Sequence, residues 1–566
     1  MKSAKPQKKT NFKKLILAAQ GQLECDLQIA DVLFLDVFNG IFRKGTISIL
    51  DGKIIGLEEG IRAKRKINGK NKWLVPGFID AHVHLESSML SPSSFENSVL
   101  PKGTTTAICD PHELSNVIGL EGIRYFLKAS TKMSMDLKVM LSSCVPATHL
   151  ETNGGGTISA SDLRKLKNHP SVLGLAEVMN VPGVLSGNKD ILDKLNLFDR
   201  ATNRQLDGHC PLLSGKELSA YATAGITSCH ESSSATEAVE KLKNGLKIWI
   251  REGSVAKDLD ALISILTPEN SMQIGFCTDD RNPLDILEQG HLDYLIRRAI
   301  AKGANPNLVY RCASYSIANH YGLVHLGAIA PGYQADLVLL NDLNTCSIDQ
   351  VYKKGKPVSE LQSNFKITSQ QSNKTMKAKP PLPENLRAPE GQVHVIGVKP
   401  GKILTEHLTL NSNSSGVLRL SVLERHGHKR NPANAWVTGF GNLNGAIASS
   451  VGHDSHNLIC VGSNQEDMAI AMNAVIKNHG GFAVSQNKNV LATLSLPIGG
   501  LMSPLIATKI AHSLANLRQA SKQIGCSLED PFLQLAFLSL PVIPSLKLTD
   551  RGLVDVNKFN FIPVRI

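Results

Sequence analysis

WLVPGFIDAHVH, residues 73–84, decides the fold. It reads as a short apolar strand ending in two histidines one residue apart, and the period-two geometry of a strand points both imidazoles to the same side. Outward from it the same theme returns as TTAICD, KVMLSSC, VLGLAEVM, QLDGHC, ITSCHE, LKIWIR and MQIGFCTDD, apolar runs ending in a polar residue and separated by enough chain for a helix. With His82, Cys109, Cys144, Glu177, His209, His230, Trp249 and Asp279 as markers, the steps are 27, 35, 33, 32, 21, 19 and 30 residues. Eight βα units of that size predict an α/β chain built on a (β/α)8 TIM-like barrel, with its working residues at the C-terminal ends of the strands. The doubly wound alternative lacks its phosphate loop: no G-x-x-x-x-G-K-[ST] exists, and Gly439 to Gly445 has one residue too many for G-x-G-x-x-G.

At 566 residues the chain is several domains long. Residues 28–75 carry short strands joined by Gly turns, and the pattern returns at 327–358 in GAIAPGYQADLVLLNDL and VYKKGKPV. These two pieces predict one small, discontinuous β-sandwich domain flanking a barrel over 76–326. Residues 1–27 read as a basic N-terminal tail, and 359–390, with Pro380, Pro381 and Pro383, as an exposed linker. Residues 391–566 read as an α+β C-terminal domain, with strands near 393–397 and 435–440, a helix through 465–477 and amphipathic helices after Pro504.

Hydrophobic residues make up 42% and charged residues 19%, an ordinary globular balance, and no apolar run reaches membrane-span length. The apolar stretch Leu15 to Ala19 is too short for a signal-peptide core, so the expected compartment is the cytoplasm, with no membrane partner. The net charge of +12 resides in two segments: residues 1–14 carry six lysines and no acid, and residues 353–379 carry seven lysines against Glu360. Charge placed in a tail and a linker rather than on a face predicts no nucleic-acid partner. The ten cysteines are scattered singles without a CxxC pair, which fits reduced thiols and excludes a zinc ribbon. It also excludes the zinc nucleobase deaminases, because His84-Leu85-Glu86 supplies H-x-E but no P-C-x-x-C follows.

His82-Val-His84 alone is a weak metal half-site. Its weight rises because other strand ends deliver Glu177, His209, His230 and Asp279 on the same beat. Six nitrogen and oxygen donors at one mouth predict two divalent ions with a carboxylate between them. Metal binding can bring the pKa of water from 15.7 to about 7, worth about 12 kcal/mol at 1.36 kcal/mol per unit. A positioned base alone supplies about 3 to 5 kcal/mol.

On PGFIDAHVHLES, GHCP, SCHES, the Asp of CTDD and PGYQADLVLL, the chain resembles the amidohydrolase superfamily. On ICDPHELSNV, LAEVMNVPGV, FCTDDRNPLDILEQGHLDYLIRRAI and GGLMS it resembles, within that superfamily, the adenine deaminases. The resemblance covers nearly the whole chain after the basic tail. It implies that His82, His84 and Asp279 bind one metal and His209 and His230 the other, with Glu177 where many relatives place a carboxylated lysine. It further implies manganese or iron, with zinc as the alternative, and hydrolysis of adenine to hypoxanthine and ammonia by a two-metal-activated hydroxide in purine salvage. Residues 391–566 would be the adenine deaminase C-terminal domain, and a homodimer is the expected assembly.

In that chemistry Asp279 takes the hydroxide proton and passes a proton toward the leaving ammonia. Asp280, next in the strand, should point the other way. Protonation at a ring nitrogen falls to His112 or Glu113 in the DPHE turn, or to Glu231, whose side chain strand alternation sends away from that of His230. His453, Asp454 and His456 are candidate substrate contacts if the C-terminal domain folds over the mouth; a plain polar loop is the equal alternative. Two rival functions are an amidohydrolase of the dihydroorotase or hydantoinase kind, disfavoured by the strand-four glutamate and the DPHE turn, and a basic nucleic-acid-binding protein, which would have lost metal ligands.

Overall fold

The computed structural model describes residues 11–198, 204–361, 374–428 and 431–566. All eight strands read from the sequence are present: β1 (Phe78–Val83), β2 (Thr104–Cys109), β3 (Asp136–Leu141), β4 (Val172–Val178), β5 (Gln205–Gly208), β6 (Ser228–Cys229), β7 (Lys247–Arg251) and β8 (Ile274–Cys277). β1 to β5 pair in sequence order as one parallel sheet, and β6 to β8 as another. Parallel neighbours need crossovers, and helices such as Leu120–Ser130 and Ala235–Lys243 supply them. Both sheets curl until their edges meet. Val83 bridges Asp279 in parallel fashion, and on the other side the Thr227 N–H donates to the Leu206 carbonyl at 2.9 Å.

Residues 25–76 and 337–357 are joined through the pairing of Trp73–Pro76 with Leu337–Asp342. They form one continuous eight-stranded sheet rather than a sandwich of two. Strand Cys25–Asp36 serves both halves of it by means of an irregularity between Ile29 and Val32, and the sheet closes over its own apolar cluster of Leu27, Ile29, Phe34, Ile47, Leu74 and Leu339. Lys353 pins this sheet to the starts of β2 and β3: its buried ammonium lies 2.6 Å from both Asp136 and Asp336 and donates to the Thr105 carbonyl. One of the lysines counted as linker charge is therefore an internal ion pair.

Two segments depart from their expected character. The linker assigned to 359–390 includes residues 362–373, which lie outside the described residues; its remainder from 374 packs rather than dangles. Met376, Ala378 and Leu386 join the apolar cluster under helix Gln465–Lys477, and Lys377 N–H donates to the Arg425 carbonyl. Proline content signalled extension, but alternating apolar residues let the extended chain be buried. Of the tail assigned to 1–27, residues 1–10 are outside the described residues. Phe12–Ala19 is a helix capped by Asn11, with Ala18 buried and Lys14 paired to Asp51.

The C-terminal part holds an eight-stranded, mostly antiparallel sheet from Gln392 to Ser495 with helices Gln465–Lys477 and Ala507–Gln523, followed by a three-stranded sheet of Leu546–Thr549, Gly552–Asp555 and Asn560–Ile562. Two of its loops, 452–457 and 537–545, face the C-terminal ends of the parallel strands. No helix among the described residues is long and apolar enough to cross a membrane.

Candidate metal centre

Each expected ligand sits at or just past the end of its strand. His82 is in β1 and His84 one residue beyond it; Glu177 is in β4; His209 and His230 directly follow β5 and β6; and Asp279 lies two residues past β8. Asp279 turns into the left-handed region, φ 54°, and zips onto β1: its N–H donates to the His82 carbonyl at 3.0 Å, and its carbonyl accepts from the His84 N–H at 3.1 Å. That non-glycine excursion is costly, and the two backbone bonds hold it so that the carboxylate faces the β1 histidines.

Glu177 is the hub. Its Oε1 lies 3.3 Å from His84 Nε2 and 3.3 Å from His112 Nδ1, and its Oε2 lies 2.7 Å from His209 Nδ1 and 3.3 Å from His230 Nε2. Asp279 Oδ1 is 3.2 Å from His84 Nε2 and 3.5 Å from His82 Nε2. Donor sets of three close around His82, His84 and Asp279 and around His82, Glu177 and His230. Apart from the partly exposed His209, these groups are buried.

The donor chemistry fits cations. His84 Nδ1 lies 3.2 Å from the Asp110 carbonyl, which favours a ring proton there and leaves Nε2 for a cation or a second proton; burial and His112 oppose a charged ring, but Asp279 and Glu177 raise its pKa well above the ordinary value. Among the described residues His84 Nε2 faces His82 Nε2 at 3.1 Å and the carboxylates of Glu177 and Asp279. Acceptors converging on an acceptor repel one another unless a positive charge stands among them. Protons show the same pull: burial works against the charged His209 ring, yet Glu231 and Glu177 outweigh it and push its pKa up to about 9.

Around the ligands lie the proton-handling groups. His112 donates toward Asp110 at 3.0 Å and lies 3.4 Å from Glu113; burial disfavours its charge, but Asp110 and Glu113 raise its pKa well above the ordinary value. Glu113 is enclosed by His112, His453 and His456, which override burial and hold its carboxyl well below the usual range. Glu231 shares the cavity with His230, 3.7 Å from its Nε2, against the expected alternation. The physical reason is that β6 ends at Cys229, so both residues lie on irregular chain where the period of two no longer applies. Asp280 accepts from Ser87 Oγ at 2.5 Å, yet it lines the same cavity as Asp279 instead of pointing away from it.

Sequence reasoning missed Arg251. Its guanidinium pairs with Glu231, lies 3.1 Å from Asp279 Oδ2 and 2.9 Å from Asp258, and is buried. A signal existed: Arg251 is the polar terminus of LKIWIR, whereas the marker chosen on that strand, Trp249, packs on His320 and Tyr321. The cysteines beside the ligands, Cys109, Cys210, Cys229 and Cys277, are buried and free.

The C-terminal part reaches the site. His453, Asp454, Ile403, Phe537, Leu540 and Ile543 line the same cavity as His84, His112, Glu177 and Asp279. Past Met179 and Arg251 this cavity shares its wall with a larger chamber of about 990 Å³. His456 sits behind the cavity wall, buried against Glu113.

The amidohydrolase family model matches residues 73–358, and that of the adenine deaminase C-terminal domain matches residues 401–560. A Rhizobium etli protein named adenine deaminase 1 is 45% identical over 98% of this chain and 100% of its own length. Proteins named adenine deaminase from Cereibacter sphaeroides and Brucella suis are each 46% identical over 96% of this chain and over 98% and 95% of their own lengths.

Proposed function

Because the chain belongs to the adenine deaminase family of amidohydrolases, we propose that it hydrolyses adenine to hypoxanthine and ammonia, a reaction of purine salvage. The observation that carries the reading is one carboxylate, Glu177, shared by four imidazoles at 2.7 to 3.3 Å. The two curled sheets are then a (β/α)8 barrel over 76–326, flanked by the discontinuous domain 28–75 plus 327–358 and covered by 391–566.

His82, His84 and Asp279 would hold one divalent ion and His209 and His230 the other, with Glu177 between them; manganese, iron and zinc all suit such imidazole and carboxylate donors. Those ions supply water made acidic enough to act as a nucleophile at neutral pH. Asp279 takes the proton of that water as it attacks C6 of the purine, and delivers a proton to the amine nitrogen that leaves as ammonia. Arg251, on Asp279 Oδ2, orients that carboxylate and leaves Oδ1 toward the histidines. His112, charged between Asp110 and Glu113, donates toward a ring nitrogen, and Glu231, kept ionised by Arg251 against the effect of burial, accepts a ring N–H. Glu113, enclosed by imidazoles, lines the cavity beside His112 and, with Asp110, holds the charge of His112. Phe537, Leu540 and Ile543 exclude bulk water from the purine face.

The test is hypoxanthine and ammonia formation from adenine by protein stripped with a chelator and reloaded with Mn(II), Fe(II) or Zn(II). Restored turnover supports the reading. Failure with all three ions, together with opening of dihydroorotate or hydantoin, overturns it.

A further inference from the structure

A second cluster of donors lies beyond the centre just described, and no step of the proposed reaction uses it as a unit. Glu113 follows β2 in the catalytic part, whereas His453 and His456 stand on the loop between strands Ala446–Ser449 and Leu458–Gly462 of the C-terminal part. His453 Nδ1 is 2.6 Å from Glu113 Oε1, His456 Nε2 contacts Glu113 Oε2, and one ligand atom from each residue lies within 4.8 Å of the other two. Asp454 Oδ1 stands 3.9 Å from His453 Nδ1. All four side chains are at least 96% buried.

Glu113 pairs with one nitrogen of each imidazole, and that pairing leaves two other buried polar atoms of the cluster over. Asp454 Oδ2 and His453 Nε2 are buried without a hydrogen-bond partner among the described residues, and a buried polar atom left unpaired is destabilising. Two imidazoles and one carboxylate within reach of one point, with the Asp454 carboxylate nearby, are donors of the kind a divalent site uses. The opposing feature is the Gly452 N–H, 3.3 Å from His456 Nδ1, which places the ring proton on Nε2 in the cation-free form. A cation at Nε2 displaces that proton, forfeits the long bond from Gly452 and replaces the direct contact between His456 and Glu113.

We propose that Glu113, His453 and His456, with Asp454 as the nearby fourth donor, form a third divalent cation site that clasps loop 452–457 of the C-terminal part onto the turn after β2. The ion is of the class that binds mixed imidazole and carboxylate donors, such as Mn(II), Fe(II) or Zn(II). Its place is structural and architectural: it lies one imidazole, His112, away from Glu177, and it ties together two parts of the chain that meet only by tertiary contact. The inference goes beyond the proposed reaction, and its test needs no substrate, so its failure and the failure of the deaminase reading are distinguishable.

The experiment is equilibrium dialysis of the chelator-stripped full chain against Mn(II), with bound metal counted per chain. Wild type should hold three equivalents, His456→Ala two, and the pair His82→Ala with His84→Ala no more than two while keeping the one removed by His456→Ala. His456→Gln, which retains a polar side chain of similar reach, guards against simple misfolding and should also hold two. Mn(II) should raise the melting temperature less in His456→Gln than in wild type. Two equivalents in wild type at saturating Mn(II), or three in a folded His456→Gln, overturns the proposal.

Discussion

Asp279→Asn should separate proton transfer from metal retention. Asparagine tolerates positive φ better than most residues, so the φ 54° turn and its two backbone bonds to β1 survive the change. Its carbonyl oxygen can still face His82 and His84, where Asp279 Oδ1 lies at 3.5 and 3.2 Å. Arg251 loses a charged partner but keeps Glu231 and Asp258, so the fold should hold. The amide cannot accept the proton of the attacking water. A positioned acid/base group contributes about 100- to 10,000-fold, or about 2.7 to 5.4 kcal/mol at 1.36 kcal/mol per decade. We expect kcat for hypoxanthine formation to fall by at least about 100-fold while metal content stays near that of wild type. Asp280→Asn retains an oxygen for the Ser87 hydroxyl and should lose less than about tenfold. A larger loss at Asp280, or complete metal loss in Asp279→Asn, would refute the assignment.

Glu177→Gln should lower metal content as well as rate, because a neutral amide cannot balance two cations between four imidazoles; two full equivalents at the main centre by elemental analysis would remove Glu177 from the bridge. Adenosine carries a ribose at N9, and the cover of Phe537, Leu540 and Ile543 leaves it little room, so its kcat/KM should fall at least about 100-fold below that of adenine; comparable values would contradict a covered site. Burial pulls the Lys547 ammonium down to about 7, whereas the unfolded chain keeps its proton to about 10.5. Between those values the unfolded state binds more protons, so stability rises with pH across the window, and Lys547→Met should flatten that rise in melting curves taken from pH 7 to 10.

What was legible in the sequence is what repeats. The eight parallel strands were readable because each buried run ends in a residue of different chemistry, and the candidate ligands were readable because those residues fall at the strand ends. The errors cluster where a strand stops and its alternation stops with it. Glu231 was sent to the wrong face because β6 is only two residues long, a length that no apolar pattern announces. Asp279 faces the β1 histidines by a left-handed turn rather than by continuing the strand, a route the pattern does not contain. Arg251 was passed over because a buried arginine reads as a surface residue until its three acids, brought from 20 residues earlier and 7 and 28 later, are seen around it. Linker residues 374–390 look exposed by composition, yet burial depends on a partner surface more than 40 residues away in sequence, at Arg425 and Met468.

The same limit explains why the role of the C-terminal part was undecided in the sequence. Its contribution to the cavity consists of single residues on two loops, His453 and Asp454 on one and Phe537, Leu540 and Ile543 on the other, with no periodic signature in either. A parallel-strand mouth by itself is open to solvent, and a hydrolytic centre that must place one water against one carbon works better with the remaining water excluded. Apolar residues on the second loop supply the exclusion; the first loop carries ionisable groups that must be satisfied once buried. Glu113 satisfies both histidines of that loop from the opposite wall. The DPHE turn therefore faces two ways, with His112 and Glu113 lining the cavity and Glu113 also pairing with the cover, and a change in either residue should be felt both in the chemistry and in the docking of the C-terminal part.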